Sequence, residues 1–347
     1  MPTAIINGNA VNIAQKVAAL SDCAIYSHCP HVDVIETHMA WVFLAGELVF
    51  KMKKPVHYEF LDFTTLSARE FTCREELRLN RRLAPDIYLD VVPLKLDRVG
   101  VLTFAGEGPV VEWLVKMKRL PADRMLDYAI EHGTARKSDV VAFAEKLSAF
   151  YRAAPPVVQS LEQVCRRFSA EHERNVALLS DGRFELDHVM TGTVLAGMTK
   201  ALSTARPLLN TRVEADAFLE GHGDLRPEHV CLIAPPVVID CLEFNRDMRL
   251  VDPFDDIAFL DLECERLGAP WVGQKVFDIC RRELSSPLPD GLFAFYRSTR
   301  ALLRARLALA HLIESNPRMP AKWEPRARAY VKIAHAGLLQ FEAAVSR

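Results

Sequence analysis

Two aspartates set the chemical question. Asp224 follows His222-Gly223 in "HGDLRPEHV", and sixteen residues later Asp240 closes the apolar run "VVID". Two carboxylates so spaced, each beside a short β-like stretch, suit phosphoryl transfer. That reaction asks for a cation on the phosphates, a carboxylate to hold Mg²⁺ and a base for the acceptor hydroxyl. The cation is offered upstream, where "LVFKMKK" sets Lys51 and Lys53 two residues apart on one face of a strand. An exposed edge strand studded with lysine against aggregation is the other reading of that pair. The next helical segment, "EELRLN", supplies Glu76, with Glu75 as the alternative, to hold the strand lysine toward the phosphates. Asp224 is then the base and Asp240 the metal ligand. Asp252, Asp255 and Asp256, which introduce "DIAFLDL", read instead as helix caps that brace the catalytic loop through its backbone amides.

The elements that must position these residues fall into two textures. Residues 32–56 alternate in β-branched and aromatic residues around a turn at Ala45-Gly46-Glu47, which predicts an antiparallel meander. A helix follows in "TTLSAREFTCREELRLNRRLAP", capped by Thr65 or Ser67, with Leu77 and Leu83 inward and Pro85 as its stop. "IYLDVVPLKL", "VGVLTFAG" and "PVVEWLVKMKRLP" predict three more strands. Beyond Pro121 the chain turns helical. "SDVVAFAEKLSAFYRAA" has an apolar stripe at 140, 143, 144, 147, 150 and 151 with Ser138 as its cap. "LEQVCRRFSAEHERNVALLS", "DDIAFLDLECERLG" and "FAFYRSTRALLRARLALAHLIE" are further helices, with short β-like pieces in "VCLIA" and "PVVID". The expectation is an α+β fold with a β-rich N-terminal lobe, 1–120, for nucleotide, and a mainly helical catalytic and substrate lobe, 121–347. A cleft between two lobes is a natural ligand site.

Composition narrows the function classes. A chain of 347 residues, half of them hydrophobic, suits two domains or one large domain in two lobes. Lys plus Arg is 43 against 45 Asp plus Glu, a net charge of −2, which argues against nucleic acid as a partner. Eight scattered cysteines without a C-x-x-C read as reduced buried thiols and a cytoplasmic setting. Cys23 and Cys29 near His28 and His31 have poor zinc-ligand spacing, interrupted by Pro30. The start "MPTAIINGNAVNIAQ" has no signal-peptide pattern, and no uncharged apolar run reaches membrane-spanning length.

The motifs "HGDLRPEHV", "VVIDCLEFN" and "DPFDDIAFL", with "IETHMAWVFLAGELVFKMKKP" and "LDFTTLSAREFTCREELRLNRRLAPDIYL" before them, resemble the aminoglycoside-phosphotransferase-like family over roughly residues 30–310. The branch it resembles is an uncharacterised one often fused to a P-loop ATPase domain; no G-x-x-x-x-G-K-[ST] occurs in this chain. The resemblance implies a protein-kinase-like two-lobe fold and ATP-dependent phosphorylation of a small-molecule hydroxyl with Mg²⁺. It makes Lys51 the lysine of the third strand, with Lys53 beside it, and Glu76 its helix partner. It makes Lys116 to Leu120 the adenine-binding hinge, with Met117 and Arg119 among the nucleotide contacts. It implies Asp224 as base and Asp240 as metal ligand.

Three departures qualify it, the missing G-x-x-x-x-G-K-[ST] being one. The family loop reads H-G-D-L-H-x-x-N, whereas Arg226 stands here for the second His and His229 for the Asn. Imidazole is a poorer Mg²⁺ ligand than an amide oxygen, though compatible with Mn²⁺ or Zn²⁺. His229 therefore leaves open a weakened metal site, Asp240 acting with water alone, or a nucleotide-binding pseudokinase with a regulatory role. No G-x-G-x-x-G is present, so backbone around Thr37 to Met39 would cover the phosphates. No A-P-E segment follows "IDCLEF", which disfavours a protein substrate. Finally, Arg297, Arg300 and Arg304 share a helical stripe. They read as a charged face paired with acids or, with Arg226, as a site for an anionic acceptor. The acidic run "DLECERL" reads as solvated helix surface or, as the other reading, as a source of the acids that a polycationic aminoglycoside needs. The acceptor, the choice of ATP or GTP and the oligomeric state are not encoded in any motif.

Overall fold

The computed structural model describes residues 11–27, 29–58, 60–314 and 317–346. It divides into two compact units: residues up to Ala122 together with Val237–Arg246, and Asp123–Pro236 together with the chain from Asp247 on.

The first unit begins with α1 (Ile13–Leu20). Strands β1 (Val32–Glu36), β2 (Ala40–Ala45) and β3 (Leu48–Lys53) form the expected meander, with Gly46 at φ +61° in the β2–β3 turn. After the short pair β4 (His57–Tyr58) and β5 (Leu61–Asp62) comes α2 (Leu66–Asn80), whose N-cap is Thr65, accepting from the Ala68 amide at 3.1 Å. Strands β6 (Tyr88–Leu96), β7 (Leu102–Thr103) and β8 (Val110–Lys118) complete an antiparallel sheet in the order β1-β2-β3-β8-β6-β7.

Strand alternation decides what each face does. Phe50 and Met52 of β3 join Leu20, Phe43, Leu94 and Leu114 in an apolar core, against which Val17 of α1 packs. The intervening Lys51 and Lys53 therefore face the other side, where both bond to Glu76 of α2. That helix buries Arg69, Thr72, Cys73, Glu76, Leu79 and Asn80, not Leu77, which is half-buried. Its inner stripe is largely polar because it meets the sheet's charged face. Arg69 bonds the wholly buried Glu112 of β8 at 2.8 and 2.9 Å, and Lys16 of α1 reaches the same carboxylate at 2.8 Å.

The second unit is mainly helical: α3 (Leu126–Glu131), α4 (Lys137–Ala153), α5 (Leu161–Leu179) and α6 (His188–Glu214). There follow β9 (Leu219–Glu220), β10 (Val230–Cys231), and, after the chain has passed through β11 (Val237–Val238) of the first unit, β12 (Leu250–Val251). Helices α7 (Pro253–Arg266), α8 (Pro270–Glu283), α9 (Leu292–Ala310) and α10 (Trp323–Val345) end the unit. α4 begins earlier than Ser138 predicts: Arg136 occupies the N-cap and pairs with Asp139, which closes the first turn.

The larger correction concerns "DLECERL". It is not solvated surface: α7 is buried from Pro253 through Cys264, packed by α8 and α9. Asp261 and Glu263 are buried because α9 brings arginines to them, whereas the Glu265 side chain keeps 40 % of its surface exposed. Arg297 contacts Asp261 at 2.6 Å and also pairs with Glu265, and Arg304 donates to Glu263 at 2.6 Å.

All eight cysteines are free, five of them buried. Among the described residues no group of three or more His, Cys, Asp or Glu is placed to hold a metal; His28 lies outside them. No described helix is long and apolar enough to cross a membrane.

Candidate functional site

In the first unit the lysines and acids form one network. Lys51 Nζ donates to Glu76 Oε1 at 2.9 Å and to Asp240 Oδ1 at 2.6 Å. Lys53 Nζ donates to the other Glu76 oxygen at 2.7 Å and to Glu243. Glu76 is wholly buried, whereas the Asp240 side chain keeps 43 % of its surface exposed. Of the two candidate glutamates, then, Glu76 faces the lysines; Glu75 pairs with Arg78 on the outer face of α2.

Charge states follow from the pairing. Burial opposes the ammonium of Lys51, but Asp240, Glu76 and Glu243 outweigh it and hold the proton well above the ordinary lysine range. Burial likewise opposes the Glu76 carboxylate, yet Lys51 and Lys53 carry it below its usual value. Glu243 goes the other way: burial, resisted by Lys53 and reinforced by Glu76, raises it.

Residues not singled out in the sequence set Asp240 in place. Its amide donates to the Tyr88 hydroxyl at 3.1 Å, and the next amide, of Cys241, donates to Asn80 Oδ1 at 2.9 Å. Asp240 itself sits at φ +61°. Asn80 lies one helical turn beyond Glu76, whose carbonyl accepts from its Nδ2 at 2.9 Å. α2 thus fixes both the glutamate and the aspartate that flank Lys51. Glu243 was also missed; its only sequence signal was its place three residues after Asp240.

The hinge-like segment is tightly bonded within this unit. Met117 is buried in β8 between Val49 of β3 and Tyr88 of β6. The amides of Lys118 and Arg119 donate to Ile87 O and Glu47 O, both at 2.9 Å, and Arg119 lies 3.5 Å from Asp33. The Thr37–Met39 turn closes on itself, the Thr37 amide donating to Ala40 O at 2.8 Å.

In the second unit the loop from His222 to His229 is braced from α7. Asp256, wholly buried, accepts from the amides of His222 at 2.7 Å and Gly223 at 2.9 Å, as the sequence suggested for this group of acids. Close approach demands glycine at Gly221, where a Cβ would stand 2.5 Å from Asp256 Oδ2. Gly223 sits at φ +83°, a conformation that L side chains disfavour. Arg300 clamps Asp255 at 2.7 and 2.8 Å.

Asp224 emerges from this brace with its carboxylate on Arg226, whose Nη2 donates at 2.9 Å. Arg226 also pairs with Glu228. His229 lies with Nδ1 2.8 Å from the Asp224 carbonyl oxygen and Nε2 3.2 Å from Arg226 Nη2. A carbonyl only accepts, so Nδ1 carries the proton and the Nε2 lone pair faces a guanidinium. Burial raises the Asp224 carboxyl, but Arg226, His229 and Arg304 together bring it below the ordinary aspartate range. It is therefore ionised.

The sequence-derived candidates separate accordingly. Lys51, Lys53, Glu76 and Asp240 are brought together in the first unit; Asp224, Arg226 and His229 in the second, with Arg304 close enough to act on Asp224. Arg297 and Arg300 are occupied by acids of α7.

An N-terminal antiparallel sheet followed by a mostly helical part is the architecture of the choline kinase and aminoglycoside phosphotransferase structures. A choline/ethanolamine kinase family protein from Mesorhizobium loti superposes with a TM-score of 0.53 at 15 % identity, over 96 % of this chain and 98 % of that one. Choline kinase from Cryptosporidium parvum gives 0.53 at 11 % identity, over 91 % and 93 %. An aminoglycoside phosphotransferase from Alicyclobacillus acidocaldarius gives 0.50 at 12 %, over 98 % of each chain. At these identities the likeness is one of fold. In sequence, uncharacterised proteins of Mycobacterium tuberculosis and Mycobacterium bovis are each 30 % identical over 302 residues, 84 % of this chain and 57 % of theirs. The chain thus spans a little over half the length of those relatives. No protein-family model matches it.

Proposed function

We propose that the protein transfers the γ-phosphate of ATP to a hydroxyl of a small molecule. The observation that carries this reading is the charged Lys51 ammonium held on Glu76 at 2.9 Å and Asp240 at 2.6 Å. A strand lysine fixed by a helix glutamate, beside an exposed aspartate, is what phosphate binding with an adjacent metal ligand requires. The names of the structures that share the fold, choline kinase and aminoglycoside phosphotransferase, support a small-molecule acceptor.

Asp240 offers the hard oxygen that Mg²⁺ prefers, and its carboxylate is exposed enough to give it. His229 fits poorly, because its one lone pair faces Arg226. The metal, when bound, neutralises charge on the phosphate oxygens. In this reading Lys51 binds the α- and β-phosphates, and Lys53 and Glu76 keep it aimed. Asp224 accepts the proton of the acceptor hydroxyl. That oxygen bonds the γ-phosphorus, the bond to the β–γ bridging oxygen breaks, and ADP leaves.

Calorimetric titration of ATP with Mg²⁺ tests the first half. Lys51→Met is expected to weaken ATP by about tenfold to a hundredfold, the loss of a charge-assisted contact to phosphate; unaltered affinity would remove Lys51 from the site. The position of His229 favours a second reading, a nucleotide-binding pseudokinase. Binding of ATP without consumption across an acceptor panel, with turnover gained in His229→Asn, identifies the histidine as the lesion.

Asp256 supplies a pH signature. Burial, opposed by Arg300 and the two loop amides, pushes its carboxyl up to about 6. The folded protein binds this proton more tightly than the unfolded chain. Its contribution to stability is therefore complete below the ordinary aspartate range and falls as pH rises towards about 6. Activity should move oppositely, since the ionised form accepts from both amides. A plot of kcat against pH is expected to show an acid limb near 6, lost in Asp256→Asn. Asp224 titrates too low to be its source; a limb that persists in Asp256→Asn refutes this assignment.

A further inference from the structure

Beside Asp224 the second unit gathers more positive charge than its ion pairs absorb. Arg304 of α9 and Arg266 of α7 donate their Nε to the two oxygens of one carboxylate, Glu263, at 2.6 and 2.7 Å. The Tyr330 hydroxyl of α10 donates to that same carboxylate at 2.6 Å, and its ring lies 5.5 Å from the Arg304 guanidinium and 5.8 Å from that of Arg266. Glu263 is wholly buried, so two guanidiniums share one negative charge.

The start of α10 adds two cations. Lys322 and Arg326 lie over the Trp323 ring at 5.4 and 5.9 Å, and among the described residues neither has an ion pair. Arg326 is held below the ordinary arginine range by burial and then by Arg266 and Arg304. Lys322 is lowered by burial and then by Arg326 and Arg266; Glu131 and Glu228 oppose the shift without cancelling it. Like charges crowded this way cost stability unless something negative sits among them. Arg304 ties the group to the reaction centre, because its charge helps hold Asp224 ionised.

We infer that the acceptor hydroxyl belongs to an anionic compound, whose carboxylate or phosphate is bound by Arg304, Arg266, Arg326 and Lys322. The inference rests on the phosphotransferase reading for its chemistry, but the site is a binding site in its own right. It revises which arginines serve the acceptor. Arg297 and Arg300 are clamped to α7, whereas Lys322 and Arg326 meet the Trp323 ring and, among the described residues, no carboxylate in an ion pair. It also sets this chain apart from proteins named for choline and aminoglycosides, whose acceptors are cations.

The test is calorimetric binding of D-glycerate, glucose 6-phosphate, choline and kanamycin to the full chain loaded with Mg²⁺ and a non-hydrolysable ATP analogue. At least one of the two anions is expected to bind more tightly than either cation. D-Glycerate or glucose 6-phosphate as the better ligand tells carboxylate from phosphate. The double variant Lys322→Gln/Arg326→Gln should weaken that anion by about tenfold or more and leave the affinity for the ATP analogue unaltered. Neither holds an ion pair among the described residues, so folding should survive, which the thermal midpoint checks. Tighter binding of choline or kanamycin, no binding of either anion, or an anion affinity unmoved in the double variant overturns the inference. With ATP in place of the analogue and ADP release as the readout, an anion that binds but is never phosphorylated leaves the charge assignment standing and counts against the phosphotransferase reading. Turnover of choline or kanamycin does the reverse.

Discussion

Asp224→Asn is expected to lower kcat by about 10²- to 10⁴-fold, the usual contribution of a positioned general base, while ATP affinity stays within a few-fold. The substitution keeps the size of the side chain and an oxygen that can still accept from Arg226, which now donates to the carboxylate at 2.9 Å. What disappears is the negative charge and the capacity to take a proton. The brace beneath it does not depend on that charge: the His222 and Gly223 amides are held by Asp256, and Gly223 keeps its positive φ. Lys51, Glu76 and Asp240, which the reading assigns to the nucleotide, bond to one another and not through Asp224. Loss of kcat with preserved ATP binding is therefore the signature of a base, measured by steady-state turnover beside titration calorimetry. Equal loss of both would make Asp224 a structural residue, and full turnover would place the base elsewhere.

How much of this was legible in the sequence differs by element. Strand alternation put Lys51 and Lys53 on one face, and helical periodicity made Glu75 and Glu76 candidates to meet them; both are local signals. The α7 brace was also legible, since aspartates at the head of a helix have few other uses. Glu243 was not. It pairs with Lys53 across 190 residues of chain, and no local periodicity encodes such a contact. Asn80 and Tyr88 escaped for the same reason, since their bonds to the Asp240 segment span 161 and 152 residues. α6 was not among the expected helices; Gly192, Gly197 and Pro207 disfavour a helix by propensity, yet the helix runs through all three, packed by α5 and α10. The acidic run of α7 misled most. Charge in a sequence normally means solvent, and only the arrival of Arg297 and Arg304 on α9 turns Asp261 and Glu263 inward.

Asp252→Ala is expected to cost about 3–5 kcal/mol of stability, the range found when one partner of a buried ion pair is removed. Asp252 is wholly buried and Arg212 of α6 is 1 % exposed. The guanidinium donates twice to Asp252, at 2.6 and 3.0 Å, and its remaining bonds, to Ser286 Oγ and Pro287 O, are neutral. Without the carboxylate a full positive charge stays in the interior with nothing opposite it. Two further groups lose their acceptor: the Tyr296 hydroxyl at 3.0 Å and the Phe254 amide at 2.9 Å, the first turn of α7. The damage passes to the loop because Asp255 and Asp256 directly follow, so fraying that turn loosens the carboxylate under His222 and Gly223. The double variant Arg212→Met/Asp252→Leu should regain the part of the loss that the unpaired charge causes, since an apolar pair of similar volume can replace a buried ion pair at little net cost, while the Tyr296 hydroxyl and the Phe254 amide still lack their acceptor. Urea unfolding midpoints of the wild type, Arg212→Met, Asp252→Leu and the double variant measure the coupling directly, with Asp252→Ala run beside them. Asp252→Ala within about 0.5 kcal/mol of wild type, the level of an ordinary surface change, would show that Arg212 finds water or another partner. Its charge would then not be what anchors α7 beneath the loop.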